Sequence, residues 1–162
     1  MTLVMGPRTE SSVIVEASAV SKRFGNRLAV DQLSLRVSAG VCYGLLGPNG
    51  AGKTTTLRMI YGVTRPDSGM IRVFGIDIDR DPRAVRARLG VTLQQNALIE
   101  ELSAEENLRV FGRYHLLREP ELSRRARELI DFFELGSHGQ APVRELSGGF
   151  QRRLAIALSL MN

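Results

Sequence analysis

Gly44-Leu45-Leu46-Gly47-Pro48-Asn49-Gly50-Ala51-Gly52-Lys53-Thr54-Thr55 decides how this chain is read. Gly47 to Thr54 follow the pattern G-x-x-x-x-G-K-T, the loop that cradles phosphate. The run Val41, Cys42, Tyr43, Leu45, Leu46 suits a buried strand before the loop, and Leu57, Met59 and Ile60 suit a helix after it. Polyphosphate packs several negative charges into a small volume, and side chains would keep the backbone away from it. Gly47, Gly50 and Gly52 remove that obstacle. Successive backbone N–H groups, those of Pro48 excepted, then form an anion nest, and the following helix adds its positive end. Lys53 supplies a point charge toward the β- and γ-phosphates, and Thr54 offers a hydroxyl to Mg²⁺. The candidate binding stretch is therefore Gly47, Pro48, Asn49, Gly50, Ala51, Gly52, Lys53, Thr54 and Thr55.

On the N-terminal side, Val13 to Val20 reads as a strand and Ser21 to Asn26 as a turn. Leu28, Val30, Leu33, Leu35 and Val37 alternate with polar residues, a period-two pattern with one slip. With the strand before the loop, these form an expected antiparallel patch beside the phosphate site. Phe24, just ahead of the second strand, could stack on a flat base or sit in the core; the spacing leaves both open. Met1 to Ser12 is mixed and polar and is expected to be a loose tail.

On the C-terminal side, the loop helix is expected to end near Gly62, followed by the turn-dense Arg65-Pro66-Asp67-Ser68-Gly69. Met70 to Phe74 reads as a short strand. Asp81-Pro82 starts a helix, with Asp81 as N-cap, running to about Leu89. Gly90-Val91-Thr92-Leu93 reads as a buried strand that delivers Gln94-Gln95-Asn96 to a loop. Ser103-Ala104-Glu105-Glu106 is a capping box, and Leu108, Phe111, Leu116 and Leu117 line one face of its helix. Glu119-Pro120 breaks that helix. Leu122, Ala126, Leu129, Ile130 and Phe133 make the next, which Gly136 ends. Ser147-Gly148-Gly149 then opens a last helix whose free N–H groups and hydroxyl make a second anion site.

Composition narrows the class. The 162 residues are 43% hydrophobic and 24% charged, ordinary for a globular protein. No apolar run approaches the roughly 18 residues of a membrane span. Net charge is +5, but the basic residues are scattered without aromatic interleaving, so solvated helix faces explain them better than a nucleic-acid site. The single cysteine, Cys42, fits a reducing compartment and is expected to be a buried strand residue. His115 and His138 lack metal-spaced partners.

These stretches, in this order, resemble the nucleotide-binding domain of ATP-binding cassette (ABC) transporters. Phe24 matches the family's adenine-stacking aromatic, and Gly47 to Thr54 its P-loop. Gln94, or alternatively Gln95, matches the Q-loop glutamine, and Leu146-Ser147-Gly148-Gly149-Phe150-Gln151 matches the family signature. The resemblance covers residues 13 to 162 and is closest to ATPases of bacterial drug and nodulation-factor exporters. It implies an α/β fold of the P-loop NTPase type: an antiparallel β patch, an incomplete parallel core sheet, and a helical subdomain over about residues 98 to 144. It implies ATP and Mg²⁺ as ligands, with Thr54 and Gln94 at the metal. Two domains would close face to face, so that Ser147, Gly148 and Gly149 reach the partner's ATP. Transmembrane permease subunits would hold the protein on the inner face of the membrane, and no nucleic acid is expected.

The family's motif order continues past this last helix into a strand ending in Asp-Glu, a D-loop and a switch histidine. Asn162 precedes them all, so the sequence is expected to be a piece of a longer ATPase. On its own it is expected to hydrolyse ATP negligibly and to fold poorly, because the missing neighbour of the Val41 to Leu46 strand would leave an open apolar edge, with nucleotide binding surviving weakly. Three other readings compete. One is an ABC ATPase acting on ribosomes or chromosomes, which a membrane-spanning gene neighbour would exclude. Another is a P-loop kinase or GTPase, against which the signature and Q-loop stand. The third is a non-hydrolysing nucleotide-binding remnant.

Overall fold

The computed structural model describes residues 3–5, 12–92, 98–138 and 140–161. The elements run β1 (Leu3–Met5), β2 (Val13–Phe24), β3 (Arg27–Ser38), β4 (Cys42–Gly44), α1 (Lys53–Ile60), β5 (Ser68–Val73), β6 (Ile76–Asp77), α2 (Pro82–Arg86), α3 (Ala104–Tyr114), α4 (Glu121–Phe132) and α5 (Gly148–Leu158). Short 3₁₀ turns lie at Gly136–His138 and Val143–Glu145. The chain forms two compact units, Met1–Arg86 and Ala87–Asn162.

In the first unit the strand order is β3-β2-β5-β6, and every pairing among the described residues is antiparallel. Alternation along β2 and β3 turns Ala17, Val20, Val30 and Leu35 inward, where they join Ile71 and Val73 of β5 and Met59 of α1. The slip in the β3 pattern is a reciprocal irregularity. Ala19 (φ 47°) and Gln32 (φ 42°) bulge out of the β2–β3 ladder. Two serine hydroxyls replace the lost ladder bonds: Ser34 Oγ accepts from the Ala19 N–H and Ser21 Oγ from the Gln32 N–H, both at 2.9 Å. With that repair β2 continues through Ser21–Phe24, a segment expected to be turn, and the hairpin closes at Gly25-Asn26.

The strand before the phosphate loop differs most from expectation. The buried run Val41 to Leu46 reduces to the three residues of β4, whose partner is β1. Leu3–Met5, expected in a loose tail, is thus paired. β4 is not part of the sheet formed by β2 and β3; the third strand of that patch is β5. Cys42, expected to be buried, is exposed, and Leu46 is 69% exposed. An apolar run is buried only where neighbours cover it, and here β1 is the sole strand beside it among the described residues.

The second unit is helical. Ser103 caps α3 as the sequence reads: its Oγ accepts from the Glu106 N–H at 3.3 Å, and Glu106 Oε2 accepts from the Ser103 N–H at 2.8 Å. Those bonds from Ser103, backbone first, hold the Glu106 carboxyl below the usual glutamate range. Leu108, Leu122, Leu129, Val143, Phe150, Leu154 and Met161 form the core. α4 ends at Phe132, and Glu134 (φ 53°) rather than Gly136 takes the left-handed position after it. Gly90 to Thr92, expected as a buried strand, is irregular and Val91 is exposed. No strand among the described residues of this unit offers it a ladder partner.

Candidate functional site: two helix N-termini

The first helix N-terminus belongs to the glycine-rich loop. Gly50 and Gly52 both have φ 83°, a left-handed conformation that other residues rarely adopt. At Gly52 a Cβ would also overlap the Ala29 carbonyl oxygen of β3, so the strand and the loop touch only because this residue is glycine. Gly52 is the N-cap of α1 and provides no capping side chain. The first turn of α1 contains no acidic residue, which leaves its positive end for an external anion. Lys53 Nζ folds back and donates to the carbonyl oxygens of Gly47 at 2.6 Å and Pro48 at 2.7 Å. The ammonium therefore lies over the loop at a defined position. Thr54 is exposed and Thr56 is buried. A cleft beside the loop is lined by Ala29, Val30 and Leu33 of β3 with Leu45, Leu46, Ala51 and Lys53.

Phe24 ends β2 opposite Arg27, and 53% of it is exposed. That disposes of the core reading and leaves a ring with a free face. The hairpin tip that carries it has two moorings that sequence spacing does not reveal. Arg27 Nη2 donates to the Gly50 carbonyl of the phosphate loop at 3.4 Å. Lys22 Nζ donates to Asp67 Oδ1 at 2.6 Å, and the Arg23 N–H donates to Asp67 Oδ2 at 2.7 Å. These bonds, the lysine's first, hold the Asp67 carboxyl below the ordinary aspartate range. In the sequence, Asp67 is one residue of a turn-dense stretch; its partner Lys22 is 45 positions away.

The second helix N-terminus is that of α5. Ser147 is the N-cap, and its Oγ accepts from the Phe150 N–H at 3.3 Å. That use leaves the hydroxyl proton to donate elsewhere. Gln151 Nε2 donates to the carbonyls of Val143 and Leu146, tying the preceding turn to the helix. Phe150 is buried, so α5 is anchored one residue past the signature glycines. Ser147, Gly148 and Gly149 themselves are exposed. A Cβ on Gly148 would meet nothing within 4 Å.

Gln94 and Gln95 lie outside the described residues, as does the side chain of His138; His115 is exposed. No cluster of three or more His, Cys, Asp or Glu suited to a metal ion occurs among the described residues. The groups present suit Mg²⁺ brought with phosphate oxygens, for which a threonine hydroxyl next to a phosphate cradle is the protein's contribution.

The family model described as ABC transporter matches residues 30–162. The chain is 46% identical over 155 residues to the Nod factor export ATP-binding protein I of Sinorhizobium fredii (strain NBRC 101917 / NGR234), covering 96% of this chain and 45% of that one. It is likewise 46% identical over 147 residues to the daunorubicin resistance ATP-binding protein DrrA3 of Streptomyces coeruleorubidus, covering 91% and 46%. It spans about half the length of the curated relatives it matches. Among solved structures, an ATP-binding cassette captured as a dimer in a post-hydrolysis state with ADP and Pi superposes with a TM-score of 0.73 at 28% identity, covering 92% of this chain and 70% of that one. The cbiO1 subunit from Clostridium perfringens shares the fold, with a TM-score of 0.81 at 23% identity over 94% and 62% of the two chains.

Proposed function

The chain belongs to the ABC transporter family, and on that premise we propose that it is the ATP-binding part of an exporter's energising subunit. Family members bind ATP, and the glycine loop is where this chain binds it. The observation that carries the reading is the Lys53 ammonium held over the Gly47 and Pro48 carbonyls, at the mouth of a loop whose two left-handed glycines no other residue would replace without strain. Residues Gly47 to Thr55 receive the phosphates; Lys53 supplies the charge, and the N–H groups of Gly50 to Thr54 the nest. Phe24 stacks on the adenine. Thr54 and Gln94 would hold Mg²⁺, which would supply charge neutralisation to the bound phosphates.

Ser147, Gly148 and Gly149 serve a different nucleotide, the one bound by a second copy of the domain. What supports this is that nothing inside the unit requires glycine at 148, while an approaching phosphate does. ATP closes two domains face to face, and its hydrolysis loosens them, which transmembrane permease subunits convert to substrate movement. Residues 13–162 form one such domain in part, with the helical subdomain over about 98–144. The name of the Nod factor export relative favours export as the direction of transport. No described helix is long and apolar enough to cross a membrane. Permease subunits, on the family reading, hold the domain on the inner face of the membrane.

Equilibrium binding of a fluorescent ATP analogue to residues 1–162 tests the reading. Wild type should bind in Mg²⁺, and Lys53→Ala should weaken binding at least about tenfold, since a charge-assisted phosphate contact contributes roughly 1.5–3 kcal/mol. Equal affinities would remove the loop from the binding site.

A further inference from the structure

The ring of Phe24 is not held by its own strand alone. Lys22 Nζ lies 5.5 Å from the ring centroid, on the same strand face two residues earlier. That ammonium is itself fixed, because Asp67 Oδ1 accepts from it at 2.6 Å. Asp67 is fixed in turn by its second oxygen on the Arg23 N–H and by its own N–H on the Ser21 carbonyl at 2.9 Å. An exposed lysine–carboxylate pair would ordinarily contribute little. Here the lysine side chain is only 15% exposed, and both carboxylate oxygens are committed to the strand that ends in the ring. We propose that Asp67 and Lys22 are positioning residues for nucleotide-base recognition: together they back one face of Phe24 and present the opposite face to a purine.

This rests on the reading of Phe24 as the base-stacking residue and deepens it. The cation occupies one face of the ring's quadrupole, so only the far face is open to a second flat partner. The clamp also links the base site to the turn that follows α1, the helix that opens at the phosphate loop. Asp67 precedes β5, and its backbone pairs with β2 at Ser21. The tip of the hairpin is thus moored on one side to this turn and on the other, through Arg27, to Gly50.

The test separates base from phosphate. Affinities of residues 1–162 for ATP and for inorganic tripolyphosphate would be measured by calorimetry, for wild type, Lys22→Met, Lys22→Arg and Asp67→Asn. Lys22→Met keeps the aliphatic stem and removes the cation. It should weaken ATP binding by about three- to tenfold while leaving tripolyphosphate binding within about twofold of wild type. Asp67→Asn should fall between, and Lys22→Arg should restore most of the loss. Combining Lys22→Met with Phe24→Ala should cost no more than Phe24→Ala alone, because the lysine acts through the ring. Unchanged ATP affinity in Lys22→Met, or equal loss of both ligands with a lowered melting temperature, would overturn the inference. Unchanged ATP affinity in Phe24→Ala would remove the base-stacking reading on which it rests.

Discussion

Two helices in this chain begin with glycine beside a residue suited to phosphate, and they are built differently. At α1 the N-cap is Gly52, left-handed and pressed against the Ala29 carbonyl, and the lysine that follows is bonded back to its own loop. At α5 the N-cap is Ser147, whose side chain caps the helix, and the glycine after it has open space around it. The first site is closed by internal contacts: glycine is required there by its own neighbours and by its backbone conformation. At the second, a Cβ on Gly148 would meet no described atom within 4 Å. A residue whose smallness serves nothing within its own unit points to something that approaches from outside, whereas one whose smallness is enforced internally makes a site the unit completes alone.

That contrast can be broken most directly at Gly52. Gly52→Ala forces an L residue to φ 83° and drives a methyl into the Ala29 carbonyl. It should destabilise the first unit by at least about 2 kcal/mol, read as a shift of the denaturation midpoint, and abolish nucleotide binding. A fully stable Gly52→Ala would show that the loop is not braced by β3.

Gly148→Asp probes the other side. A carboxylate at a helix N-terminus is favourable to the isolated chain by about 0.3–1 kcal/mol, so melting should hold or rise and nucleotide binding by single chains should stay as in wild type. ATP-dependent pairing of two copies, followed by sedimentation, should be lost through like-charge repulsion with the phosphate. If single-chain binding falls as far as pairing does, the two helix N-termini serve the same nucleotide and the contrast collapses.

Ser147→Ala removes a cap worth about 1 kcal/mol, and the loss should be confined to α5, visible as faster amide exchange at Phe150 and Gln151. The smallest expected effect concerns α3. The Glu106 carboxyl is held below its ordinary range by the Ser103 backbone N–H and hydroxyl. Its contribution is therefore complete above the ordinary glutamate range and is lost as pH falls through the lowered folded value. Ser103→Ala removes the hydroxyl but keeps the backbone N–H, so it should make that acid limb of the stability curve shallower without abolishing it; an unchanged limb would show that the hydroxyl contributes nothing to it.

The local elements were legible in the sequence wherever a nearby chemical partner sufficed. The Ser103 capping box, the Asp81 N-cap (Oδ1 accepting from the Ala84 N–H at 2.9 Å) and the end of α1 near Gly62 all depend on contacts within a few residues. Strands depend on partners elsewhere in the chain, and there reading along the sequence met its limit. Val41 to Leu46 and Gly90 to Thr92 are apolar enough for buried strands, yet the first is three paired residues with an exposed Cys42 and the second is irregular. Ser21 to Phe24, rich in polar residues, is strand because a repaired bulge carries the ladder past it.

By itself, then, the sequence determined the family: G-x-x-x-x-G-K-T with Ser-Gly-Gly at the opening of a later helix is legible through residue type and spacing alone, and the ABC transporter family model matches residues 30–162. Only the tertiary structure decided what surrounds those motifs. Phe24 could equally have been core until its ring was found exposed, and nothing in the spacing joins Asp67 to Lys22 or Arg27 to Gly50. Hydrogen bonds across 45 and 23 positions form where two strands and a turn happen to converge, and that convergence is a property of the packed sheet rather than of any one stretch.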